Sequence, residues 1–196
     1  TKAAVGTTKA IGFTFNTAAT DPLIELKAIE IIAKQNVNAA TVQVYTKSGT
    51  LSTIKNQYFT TTTFVVGNVV NNRRMLIPLT QTEANNQYPS DFLGTEINPQ
   101  STKSFVIVAN FDFEINSIAP EDLSAFKTRG SLKLQALSKI TDGGAFTIDA
   151  TKGANIAFHF ELKCALSLAQ LAVGGKNNFN SVIQRVNYLI ITFQNR

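Results

Sequence analysis

Asn155-Ile156-Ala157-Phe158-His159-Phe160-Glu161-Leu162-Lys163-Cys164 alternates without a break. Ile156, Phe158, Phe160, Leu162 and Cys164 fall on one side, and Ala157, His159, Glu161 and Lys163 on the other. Successive side chains of an extended chain point to opposite faces, so this period of two is that of a strand with one face buried. The pattern recurs on both sides of it. Ala10 to Phe15 alternates Ile11, Phe13 and Phe15 with polar or small neighbours. Phe105 to Phe113 is apolar on one face (Phe105, Ile107, Ala109, Phe111, Phe113) and partly on the other (Val106, Val108), as a central strand covered on both sides would be.

The remaining segments fill in a chain of short strands. Leu23 to Ala33 begins with Ile24, Leu26 and Ala28, then shifts phase to Ile29, Ile31 and Ala33, and a phase shift inside a strand implies a β-bulge. Its charged residues suit a helix, but the β-branched Ile29, Ile31 and Ile32 favour a strand. A turn at Asn36 to Asn38 makes Thr41 to Thr46 the return strand of a hairpin ending at Ser48-Gly49. Thr60 to Val70 reads as a strand, as does Met75 to Leu79, stopped by Pro78. Ser131 to Leu137 and Ala145 to Asp149 are strands about the turn at Asp142-Gly143-Gly144, and Val182 to Phe193 is a last long strand. Ala119-Pro120-Glu121-Asp122 starts a short helix through Phe126, and Ser167 to Val173 forms a second one closed by Gly174-Gly175. Eight or more short strands predict an all-β fold, a two-sheet β-sandwich or jelly-roll barrel with one or two short helices. No internal repeat is visible, and residues 1–196 are expected to form one domain.

Composition narrows the function. Hydrophobic residues make up 44% of the chain, enough for a sizeable core, while charged residues make up only 16%. A largely neutral polar surface carries little long-range repulsion, which suits a protein packing against its own copies. The net charge is +5, yet Lys and Arg are scattered singly except for Arg73-Arg74. A phosphate-binding arm needs a run of them, because each neutralised phosphate contributes separately to affinity. Thus no strong nucleic-acid signal is present. No apolar run has the length of a membrane helix and no signal peptide is visible, so a soluble chain without membrane insertion is expected. Thr1 leaves the compartment open.

Chemistry-bearing residues are few. Cys164 is the sole cysteine, which precludes an intrachain disulfide and reads as a small buried hydrophobe. His159 is the sole histidine and lies on the opposite strand face, about 16 Å from Cys164 at the usual rise, too far for a nucleophile–base pair. It reads as a solvent-facing strand residue, and no G-x-S-x-G elbow exists to supply a serine. Asp112 and Glu114 share a strand face, where an acid/base pair or a calcium ligand pair is conceivable, but an acidic face balanced by lysines is the simpler reading. Asp142-Gly143-Gly144 lacks the further acids of a calcium loop and is read as a turn. Phosphate-cradling glycine motifs are missing. The chain is therefore expected not to be an enzyme and to use no cofactor and no metal.

Tryptophan is absent, so a carbohydrate platform would fall to Tyr45, Tyr58, Tyr88, Tyr188 or an exposed Phe, with Tyr88 the best placed. Tyr88 lies in Gln81 to Gln100, the longest loop-like stretch, which contains Pro89, Gly94 and Pro99. Loops of this length are usually functional or interface-forming, and Tyr88, Phe92 and Leu93 are the candidate assembly or binding residues.

The segments Ile24-Glu25-Leu26-Lys27-Ala28-Ile29-Glu30-Ile31 and Ala40-Thr41-Val42-Gln43-Val44-Tyr45-Thr46-Lys47-Ser48-Gly49-Thr50 resemble hairpins of β-barrel (jelly-roll) capsid proteins of icosahedral phages and of secreted bacterial β-sandwich modules. The pattern covers about a sixth of the chain and is a generic strand-turn-strand one. The capsid resemblance implies a jelly-roll subunit whose loops contact neighbouring copies. It does not extend to the basic arm of many small RNA-virus coats. The expectation is a structural self-assembling subunit, a viral capsid protein or else an extracellular fibre or surface-layer subunit. It would be located in a virion or outside the cell, with itself and other coat or surface proteins as partners. The alternative is a secreted carbohydrate-binding or adhesive module.

Overall fold

The computed structural model describes residues 3–60, 63–79, 95–125 and 132–163. In chain order the elements are β1 (Ala4–Asn16), β2 (Leu23–Ile32), β3 (Val37–Ser48), β4 (Phe59–Thr60), β5 (Phe64–Val69), β6 (Arg74–Pro78), β7 (Glu96–Ile97), β8 (Thr102–Ser117), α1 (Pro120–Ala125), β9 (Lys133–Asp142), β10 (Phe146–Asp149), β11 (Lys152–Ala154) and β12 (Ala157–Lys163). They form two antiparallel sheets. The larger has the order β10-β9-β1-β8-β3-β4, with β5 also on β3 and β11 on β8; the smaller is β12-β2-β6, with β7 also on β2. The chain is thus an all-β sandwich, as the alternation predicts.

Alternating residues of both sheets meet in one apolar layer. Ile11, Phe13, Phe15, Val42, Val44, Phe105, Ile107 and Phe113 come from the larger sheet, and Ile24, Leu26, Ile29, Ile31 and Ile77 from the smaller. Phenylalanines close the layer. The Phe13 and Phe105 rings stack with centroids 5.3 Å apart, and Phe158 meets Phe13 and Phe15 edge to face at 4.9 Å each. Edge-to-face rings place the positive rim of one against the negative face of the other, adding about 0.5–1.5 kcal/mol to the burial term. Central β8 pairs with β1 on one side and β3 on the other, and both Phe105 and Val106 are buried, as its two apolar faces foretell.

The expected hairpin is a correction. β2 and β3 belong to different sheets: β2 pairs with β12, β6 and β7, and β3 with β8, β4 and β5. Ile24, Leu26, Ile29 and Ile31 of β2 and Ala40, Val42 and Val44 of β3 belong to the same core cluster. Pairing the strands edge to edge would set these stripes side by side, whereas a corner between sheets lets them face each other across the core. That corner is held by Ala33, which bridges to Phe113, and by the Lys34 amide, which donates to the Asp112 carbonyl at 2.8 Å.

Other boundaries move as well. Pro78 lies inside β6 opposite Ala28, on an edge strand where its missing N–H costs little. The 60–70 segment contains parts of two strands, β4 and β5, and β9 runs on to Asp142. The end of the long loop, Glu96–Ile97, is strand β7. The bulge in β2 is present, since Phe160 pairs with Leu26 but His159 with Ala28, leaving Lys27 as the extra residue. The helix expected from Pro120 is α1, with the Ala119 amide donating to the Asp122 carboxylate at 2.7 Å. The helix at 167–173 and the strand at 182–193 lie outside the described residues.

The outer face of the larger sheet is also covered. Residues 49–58 cross it as a strap, and Ala10, Tyr45, Tyr58, Val106, Ile140 and Phe146 form a second small core with Leu51 packed against it. A Cβ on Gly12 would stand only 3.0 Å from Leu51 Cδ2 and from Ile140 Cδ1, so the bare backbone of Gly12 lets the strap lie close. The Tyr58 hydroxyl donates to the Ser52 carbonyl at 3.0 Å and accepts from the Ser52 amide at 2.7 Å. Lys55 sits over the Tyr45 and Phe146 rings and forms an ion pair with Asp142.

Candidate functional site

On the outer face of the smaller sheet, antiparallel pairing aligns charged residues of adjacent strands. Ala157, Glu30 and Leu76 form one cross-strand row, and Glu161, Glu25 and Glu96 another. His159 Nε2 lies 2.7 Å from Glu30 Oε1, and Arg74 Nη1 lies 3.7 Å from Glu30 Oε2. Glu30 therefore ties edge strand β12 to β6 through β2. A carboxylate on one imidazole nitrogen also orients a general base, but here its second oxygen faces a guanidinium on the outer side of the sheet, which suits cross-strand cohesion.

The second row would place three carboxylates side by side, a destabilising arrangement unless a cation intervenes. The bulge supplies the cation. As the extra residue of β2, Lys27 reaches Glu25 Oε2 at 3.1 Å and Glu161 Oε2 at 3.2 Å. Burial disfavours its charge, yet the hydrogen bonds to the two glutamates outweigh this and raise its ammonium above 10.5. Glu25 is almost fully buried, and its other oxygen accepts from the Thr95 hydroxyl at 3.4 Å.

The sequence-predicted residues distribute as follows. Tyr88, Phe92, Leu93, Cys164 and Tyr188 lie outside the described residues. His159 faces outward, as expected. Glu114 is paired with Lys34 at 3.2 Å, matching the acidic face balanced by lysine, and Asp112 engages Lys34 only through its backbone carbonyl. Asp142 of the glycine turn is paired with Lys55. Among the described residues no group of three or more His, Cys, Asp and Glu side chains is placed to hold a metal ion, and no helix is long and apolar enough to cross a membrane. Tyr45 and Tyr58 are buried in the second core, which removes both as sugar platforms and leaves Phe59 as an exposed aromatic.

Sequence reasoning missed a set of exposed apolar side chains. Large apolar side chains are exposed at Val65 (65%), Leu76 (55%), Phe59 (51%), Ile54 (49%) and Val70 (42%), with Val5 and Leu162 elsewhere. Five of these seven fall in residues 54–76, on the strap, on the short strands β4 to β6 and, for Val70, in the turn between β5 and β6. Their signal is weak in sequence, because an apolar residue on a strand of two to six residues reads equally as core. Comparison with protein-family models, curated proteins and solved structures finds no match.

Proposed function

We propose that this chain is a structural subunit that assembles with copies of itself, as a viral capsid protein first and as an extracellular fibre or surface-layer subunit second. The supporting observation is that large apolar side chains, Ile54, Phe59, Val65, Val70 and Leu76 among them, stand exposed on a sandwich whose larger sheet is already covered on both faces. Such side chains offer apolar surface for contact with another protein. Low charge supports the same reading, since little repulsion separates identical surfaces. The roles of the charged side chains are cohesive: Lys27 and Glu30 each link neighbouring strands of the smaller sheet. Negative-stain microscopy of the purified chain tests the proposal. Shells, rings or fibres are expected, and a dispersed monomer that binds a glycan array would replace it with the carbohydrate-binding module.

A further inference from the structure

Lys34, Asn72 and Glu114 come from three separate parts of the chain and meet at one point. Lys34 follows β2, Asn72 lies in the turn between β5 and β6, and Glu114 is on β8. The Lys34 ammonium donates to Asn72 Oδ1 at 2.8 Å and to Glu114 Oε2 at 3.2 Å. Backbone hydrogen bonds hold these segments together. The Asn72 amide donates to the Ala33 carbonyl at 2.7 Å, the Ala33 amide to the Arg73 carbonyl at 2.9 Å, and the Lys34 amide to the Asp112 carbonyl at 2.8 Å. Ala33 is fully buried and bridged to Phe113, the chain neighbour of Glu114. The Lys34 and Glu114 side chains are only 28% and 14% exposed, so most of this ion pair is out of water. Asn72 stands at its exposed end, with the electrophilic Cγ one bond beyond the oxygen that Lys34 touches.

We infer that the Lys34 and Asn72 side chains become joined by an amide bond, with Glu114 carrying the proton. An amine held against both an amide carbonyl and a carboxylate has the parts such a reaction needs: a nucleophile, an electrophile and a base. Glu114 takes one proton from the Lys34 ammonium, and the freed electron pair attacks Asn72 Cγ. The second proton passes from the attacking nitrogen to Asn72 Nδ2, the Cγ–Nδ2 bond breaks, and ammonia leaves into solvent. The new Nζ–Cγ bond keeps one hydrogen on nitrogen, and Glu114 keeps the first proton until the ammonia or water removes it. No oxidant, metal or cofactor enters the balance. Amides resist amines in free solution, but groups fixed in contact react as a single molecule, which removes much of the entropic barrier. The bond ties the end of β2 to the β5–β6 turn and closes β3, β4 and β5 into a covalent ring. Such a cross-link restricts the unfolded chain as a disulfide does, in a chain whose lone cysteine can form none within it. The inference goes beyond the assembly reading and stands without it.

Intact mass spectrometry of the purified full chain tests the cross-link. The wild type is expected below its sequence mass by one ammonia, and protease digestion is expected to release one branched peptide joining residues 34 and 72. Lys34→Arg keeps a cation beside Glu114 but offers no amine to attack, and it is expected at its full sequence mass, as is Glu114→Gln. A wild type at its full sequence mass overturns the inference, and this result carries the test even if either variant melts early. A loss of ammonia that persists in Lys34→Arg also overturns it, because an asparagine can expel ammonia by closing on its own backbone. A branched peptide that forms equally in Glu114→Gln overturns the proton transfer assigned to that residue.

Discussion

Phe13 of the larger sheet and Phe158 of the smaller sheet meet edge to face with ring centroids 4.9 Å apart, joining the two layers at their aromatic centre. Phe13 is fully buried and Phe158 partly so. Phe13→Ala is expected to cost about 3–5 kcal/mol of stability, and Phe158→Ala somewhat less. In a double-mutant cycle by urea unfolding, the pair should show a coupling of about 0.5–1.5 kcal/mol. Strictly additive losses would mean that the rings do not meet.

Gly153 on β11 is a site where any side chain collides. A Cβ there would lie 2.7 Å from Leu137 Cγ and 2.9 Å from Ile118 Cγ1. Gly153→Ala should therefore destabilise by about 1–3 kcal/mol through overpacking. Gly144, where nothing stands within 4 Å, is the matched control. Its alanine variant should unfold at nearly the wild-type urea midpoint, and equal losses at the two sites would contradict the packing described for β11.

The strap depends on the Tyr58 hydroxyl, which holds both backbone groups of Ser52. Tyr58→Phe keeps the ring and removes these bonds, with an expected loss of about 1–2 kcal/mol. Hydrogen exchange should accelerate selectively in residues 49–58. Uniform acceleration across the chain would show that the strap is no separate unit.

Alkaline pH separates two opposing effects. Hydrogen bonds to Glu25 and Glu161, overcoming burial, raise Lys27 above 10.5, and burial raises Tyr45 and Tyr58 above 10.0. These groups contribute stability that is full below their unfolded values and is lost as pH rises through the raised folded ones. Burial lowers Lys103 below 10.5, only partly offset by Glu96, so its charge opposes folding until pH passes the lowered value. Melting temperature should therefore rise slightly as Lys103 discharges and then fall above about pH 10. Lys103→Met should abolish the rise, and Lys27→Met should lessen the fall. A fall unchanged by Lys27→Met would contradict the bridging role of that residue.

Much of the fold was legible because burial on one face imposes alternation locally. The Asn155 to Cys164 pattern placed Phe158 and Phe160 against the core, and the phase shift after Ala28 located the bulge to within a residue of Lys27. Which strands pair is a tertiary matter, and β2 and β3 were misjoined because two strands facing each other across a core carry the same pattern as two strands side by side. The strap escaped notice for a related reason. Leu51, Lys55 and Tyr58 have no period, and their positions follow from the contour of the sheet beneath. The charged row was legible residue by residue, but its assembly by Lys27 required the register of three strands.

The central claim, that this sandwich associates with its own copies, is tested most directly by the mass of the purified chain in solution as its concentration is raised. Multi-angle light scattering should report species of several times the 21.3 kDa chain mass, growing with concentration. A constant mass of one chain across the whole range would contradict the account.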